Sequence, residues 1–195
     1  MKRASLLGLS VVLAGCAITG SYGNRLDYDQ VSQARDLAAK SYGPIAIKWV
    51  PADFPQRVDT QGASGFVGSL SQTKIPIGAG LSNRVTEALD EAVGIRSSSS
   101  KVLTITVENA KSKFQYSAGI FNTKPTMDRG GCVLEATFSF GDLQWKETFT
   151  SSQTDKSVGG KTETGVVQAT WDEIALQVAK SVVKHISGTT ASSTQ

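Results

Sequence analysis

Histidine is nearly absent from this chain, with one in 195 residues, and cysteine is scarce, with two. A zinc site built from Cys and His ligands needs three or four donors, so it is poorly supplied here. No apolar run reaches the roughly 20 residues of a membrane-spanning helix, which excludes a polytopic membrane protein. Charge of one sign is also missing: 20 basic residues face 17 acidic ones, and no basic tract stands out for nucleic acid to bind. Five prolines and 19 glycines without a repeat exclude a collagen-like chain. What remains is a chain 39% hydrophobic and 19% charged, suited to one domain. A folded domain of about 150 residues buries roughly 68–70% of its unfolded surface, so its core needs no disulfide or metal.

The first sixteen residues concern location. Met1-Lys2-Arg3 precedes an apolar stretch from Leu6 to Leu13, and small residues follow at Ala14-Gly15-Cys16. This is the pattern of an export signal. About ten apolar residues rising 1.5 Å each cover roughly 15 Å, half of a hydrocarbon core. Leu13-Ala14-Gly15-Cys16 resembles the lipobox of bacterial lipoproteins. The resemblance implies a diacylglyceryl group on the Cys16 thiol, cleavage before it, and a mature chain held to a membrane by acyl chains. Ala17 after the cysteine implies an outer-membrane address facing the periplasm. An ordinary signal peptide with an incidental Cys16 is the alternative. Losing Lys2 and Arg3 leaves 18 basic residues against 17, so the side-chain net charge falls from +3 to +1.

With Cys16 lipidated, Cys132 has no partner in the chain and reads as a small buried hydrophobe at the start of a strand. Residues 16–28 read as the lipidated cysteine and a spacer, 29–187 as a single periplasmic domain, and 188–195 as a flexible tail.

Within the domain, Asp29 to Ser41 suggests a short helix capped by Asp29, with disorder as the alternative. Pro44 to Val50 alternates Ile45, Ile47 and Trp49 on one face and reads as a strand that Pro51 ends. Residues 51–80, rich in Gly and Pro, read as a long loop, with irregular edge pairing at Gly65–Leu70 or Lys74–Ile77. Leu81 to Val93 reads as a helix with Ser82 near its cap, Gly94 at its stop, and Arg84, Glu87 and Glu91 facing outward. Four strands follow, at 101–108, 114–121, 133–140 and 143–150. The last two join through Gly141-Asp142 as a type II′ hairpin. Val167, Trp171, Ile174, Val178, Val182 and Ile186 make the stripe of a helix that Gly188 would end. The expectation is an α+β fold of two layers: a mostly antiparallel sheet of four to five strands covered by two helices, in the order β-α-β-β-β-β-α. This layout looks like that of small α/β outer-membrane lipoproteins such as the YajG-like group, a likeness that implies class and carries over no binding residue.

Chemistry is hard to find. His185, at the end of a helix, has no local nucleophile or orienting carboxylate. Gly160-Lys161-Thr162 lacks the earlier glycine of a phosphate loop, with Asp155 in its place. Asp27 and Asp29, or Asp53 and Asp59, lack EF-hand spacing. Among Asp90, Glu91, Glu108, Glu135 and Glu147, a glycosidase pair would need a separation of about 5–5.5 or 6.5–9.5 Å. Strand alternation instead turns Glu135 and Glu147 outward toward Lys146 and Lys101. The expectation is therefore a non-enzymatic accessory of envelope assembly or transport, with no catalytic residue, cofactor, metal, nucleotide or nucleic acid. It would contact the membrane through Cys16 and an envelope protein through 51–80, 122–129 or an open sheet edge. A lipid carrier with an apolar cavity and an envelope hydrolase with paired carboxylates are the alternatives.

Overall fold

A computed structural model of the chain describes residues 17–19, 22–37, 43–62, 72–115, 128–155 and 163–192. Three strands carry the apolar alternation that builds the main sheet: β5 (Val102–Gln115), β6 (Asp128–Phe140) and β7 (Leu143–Asp155) form an antiparallel meander. A fourth strand, β2 (Ala46–Val50), adds to β5 in parallel, giving the order β2-β5-β6-β7. A parallel neighbour requires a crossover. The chain between them supplies it as a 3-10 turn (Phe54–Gln56), β3 (Asp59–Gly62), β4 (Gln72–Ile75) and helix α2 (Ile77–Val93). Residues 51–80 are therefore not one long loop. β3 and β4 pair antiparallel, and the short β1 (Ala17–Thr19) joins β4 in parallel, making a second sheet β1-β4-β3. Lys74 lies in β4, whereas Gly65–Leu70 lies outside the described residues.

The α+β class and the covering of one sheet face by helices agree with the sequence reading. Helix α3 (Glu163–Ser192) lies across β5, β6 and β7, and α2 packs beside it. Leu103, Ile105, Leu134, Ala136 and Phe138 are fully buried beneath Val167, Trp171, Ile174, Val178 and Val182. Each such Leu, Ile or Phe contributes about 1.5–3 kcal/mol relative to exposure. The other sheet face carries Lys111, Lys113, Gln144, Lys146, Thr148 and Thr150, all exposed. At the β6–β7 turn only Gly141 adopts positive φ, 58°, as a type II′ turn requires of its first central residue.

Four local expectations are corrected. The strand read at 101–108 does not end there but runs on as one strand, β5, through Phe114 and Gln115, and residues 116–121 of the strand read at 114–121 lie outside the described residues. A register irregularity between Val107 and Asn109 inverts the alternation, so that Ala110, Ser112 and Phe114 continue the inward face of Leu103 and Ile105. Helix α1 runs Tyr28–Asp36, and its cap is Asp27, which accepts from the Asp29 amide, rather than Asp29 itself. Ser82 is buried inside α2, which starts five residues earlier. Finally, α3 passes through Gly188 to Ser192, because one helical glycine costs only about 1 kcal/mol. Among the described residues, no helix is long and apolar enough to cross a membrane.

Candidate functional site

Among the described residues, the most densely bonded polar cluster sits where the N-terminal segment meets the seam of α2 and α3. Tyr22 to Asp27 has no periodicity of its own, yet it is fixed along its length. The Tyr22 ring packs 5.2 Å from the Trp171 ring. The Gly23 amide donates to Gln168 Oε1 at 2.8 Å, and the Leu26 amide to Glu87 Oε2 at 2.7 Å. Leu26 is buried. This strap corrects the reading of residues 16–28 as a free spacer for the part that is described.

Arg84 holds the strap from below. Its Nε donates to Asp172 Oδ1 at 2.6 Å, Nη1 to the carbonyls of Gly23 and Gly80 at 3.0 and 3.2 Å, and Nη2 to Gln168 Oε1 at 3.1 Å. Four of the five guanidinium donors are thereby used. The guanidinium also lies 5.3 Å from the centre of the Trp171 ring. Arg84 is 1% exposed, although helix periodicity had turned it outward. The reason is α1 and the strap, which cover the face of α2 that a two-helix layer would leave open. Burial pushes the Asp172 carboxyl above its ordinary range, against the pull of Arg84, and the Asp27 amide also donates to it.

An open cleft of about 710 Å³ adjoins this cluster, with Arg25, Asp29, Gln30 and Gln153 on its walls. Tyr28 stands at its rim, 80% exposed. Its walls alternate charge, and Arg84, already committed to four acceptors, has little left to offer an anion. The arrangement is a clamp on the N-terminal segment.

The residues singled out by sequence lie elsewhere. The only histidine, His185, stacks on Trp145 at 4.4 Å and 10°, and its Nδ1 lies 2.9 Å from the Ser181 carbonyl. Ser181 Oγ accepts from Trp145 Nε1 at 3.1 Å and donates to Glu147. The histidine is thus bound to the serine's backbone oxygen, and its Nδ1 is committed there. Glu147 faces α3, which corrects its expected outward direction. Glu135 opposes Thr148, one position out of phase with Glu147, and so lies on the opposite sheet face. Lys146 pairs with Glu108, and Thr137 Oγ1 donates to the same carboxylate. Asp90 caps the end of α2 by accepting from the Ile95 amide, and Glu91 pairs with Arg35. Among the described residues, no group of three His, Cys, Asp or Glu could hold a metal ion. Cys16, residues 122–127 and Gly160 lie outside the described residues.

Cys132 is 2% exposed, and burial pushes its thiol up to about 12. It should therefore resist a thiol-directed disulfide reagent at pH 8 in the folded protein and react promptly in denaturant. Rapid labelling of the native chain would refute that placement.

Sequence patterning does hold a signal for the clamp. Arg84 falls on the stripe Ile77, Leu81, Arg84, Ala88, and Asp172 on Gln168, Asp172, Ala175, Ala179. A charge at an apolar position in each of two helices points to burial against the other.

No family model and no curated protein matches this chain. Solved structures similar to it include two bacterial proteins. One is a minor lipoprotein from Acinetobacter baumannii, with 9% identity, a TM-score of 0.43, and coverage of 74% of this chain and 92% of that one. The other is a protein from Xanthomonas campestris described by the family model DUF330, with 18% identity, a TM-score of 0.42, and coverage of 92% and 99%.

Proposed function

We propose that the chain is a lipid-anchored envelope protein, attached to the outer membrane through Cys16 and facing the periplasm. Its domain binds another envelope protein and catalyses no reaction, serving an assembly or transport machine. The observation that carries the binding role is strand β7. It runs 13 residues, and among the described residues only β6 pairs with it. Such an edge presents a row of backbone donors and acceptors to which an extended partner segment can add. The anchor rests on the lipobox-like Leu13-Ala14-Gly15-Cys16 after a basic, apolar leader. Acyl chains would confine the domain near one surface and raise its effective concentration toward partners there.

The two alternative readings draw less support. A lipid carrier needs an apolar cavity between sheet and helices, and that space is filled by Trp171, Phe138, Leu134 and Ile174. A carboxylate hydrolase needs two acids on one cleft, and Glu135 and Glu147 are divided by the sheet. A photo-crosslinking residue placed at Thr148 or Thr150 in cells tests the binding role. A discrete heavier species from these β7 positions, absent from the exposed Lys180 on α3, is expected. Recovery of only the uncrosslinked chain from every β7 position, in a folded and anchored protein, would end it.

A further inference from the structure

We infer that one end of the small sheet, formed by Ala17, Gln72 and Gly62, rests against the lipid bilayer, and that the domain stands off the membrane in a fixed orientation. The inference rests on the proposed lipidation of Cys16. It then follows from how little chain lies between that residue and the fold. Ala17 is already paired, opposite Gln72, and Gln72 in turn opposes Gly62. Consecutive Cα atoms are about 3.8 Å apart, and paired strands about 4.8 Å. An acyl group on Cys16 would therefore enter the bilayer within about 10 Å of this sheet end. No free linker separates them.

The rest of the domain follows the same constraint. The strap Tyr22–Asp27 is clamped by Gln168, Arg84 and Glu87, so the described chain after β1 offers no slack either. The small sheet is tied to the large one by the Gln61 amide, which donates to the Phe114 carbonyl at 2.6 Å and accepts from the Phe114 amide at 3.1 Å. Phe114 opposes Gly130 near one end of β6, while the Gly141-Asp142 turn lies beyond the other end. Ten residues of β6 at about 3.4 Å each separate that turn from Gly130 by about 34 Å, which puts it at the opposite end of the large sheet from the Gln61–Phe114 tie. Gly62 and Gln72, at that end of the small sheet, are exposed.

Nitroxide labels at Gln72→Cys and Asp142→Cys test this in the full chain. The protein is expressed with its own leader, purified in mild detergent, and reconstituted into vesicles of phosphatidylethanolamine and phosphatidylglycerol. Power-saturation measurements with oxygen and with a nickel chelate should give a several-fold higher oxygen-to-nickel accessibility ratio for the Gln72→Cys label. An acylated protein with equal ratios at the two positions overturns the orientation and leaves the lipoprotein reading intact. An intact mass without acyl groups overturns both. A variant with ten Gly and Ser residues inserted between Cys16 and Ala17 gains roughly 17 Å of reach. Its Gln72→Cys ratio should fall to that of Asp142→Cys. A ratio unchanged by the insertion would overturn the short tether as the cause.

Discussion

Asp172→Ala and Arg84→Ala should each lower the unfolding free energy by about 3–5 kcal/mol in denaturant titration, because each leaves the partner's charge buried without a counter-ion. The geometry makes the two losses unequal in kind. Asp172→Ala removes one acceptor at 2.6 Å and strands a guanidinium that is 1% exposed. Arg84→Ala orphans Asp172 and also removes the donors to the Gly23 and Gly80 carbonyls. The joint replacement Arg84→Met with Asp172→Leu should cost less than the sum, since no unpaired charge remains. It should not become neutral, because the Gly23 and Gly80 carbonyls still lose their donor. Strict additivity would mean that the pair is not coupled as the distances indicate. Limited proteolysis supplies a second readout: the strap, with Arg25 as a tryptic site, should be cut faster in either single variant.

The same pair has a pH signature. The folded chain holds the Asp172 proton more tightly than the unfolded chain does, since burial raises its pKa. Stability from this titration is complete below the ordinary carboxylate range and is lost as pH rises through the raised value. Asp172→Asn keeps an acceptor and removes the titration. The advantage of the native chain over Asp172→Asn should therefore shrink from acid to neutral pH, and an advantage that grows instead would show that the pull of Arg84 outweighs burial.

Legibility followed how local each determinant is. The β6–β7 hairpin could be read because Gly141 and the alternation around it are contiguous, and α3 because its stripe needs only its own spacing. β5 was broken in two by a register irregularity near Glu108, which changes the phase of the pattern without ending the strand. The crossover nature of residues 51–80 was hidden because parallel pairing of β2 with β5 leaves no mark on either strand alone. Arg84 was misplaced for a related reason. A period identifies which residues share a helix face, and it does not count how many faces will be covered. Here α1 and the strap cover a second one. The strap itself has no pattern to read, since Gly23 and Leu26 are held through backbone amides that every residue but proline possesses.

Gly80→Val and Trp171→Ala should both be strongly damaging packing changes, and their combination should show why. A Cβ at Gly80 would stand 2.5 Å from the Trp171 ring, closer than any real contact allows. The ring cannot retreat freely, because its Nε1 donates to Ser112 Oγ at 2.7 Å and Tyr22 packs on it. Overpacking of this kind costs about 1–3 kcal/mol or more, and Trp171→Ala about 3–5 kcal/mol through the cavity it opens. Trp171→Ala should also remove the ring that packs against Tyr22 at the start of the strap. The two defects have opposite sign in volume, so Gly80→Val should be better tolerated in a Trp171→Leu background than in the native chain. Thermal or denaturant unfolding of the four proteins in that cycle should give a favourable coupling of at least about 1 kcal/mol, within the range for residues in contact. A coupling near zero would mean that glycine at position 80 serves something other than room for this indole.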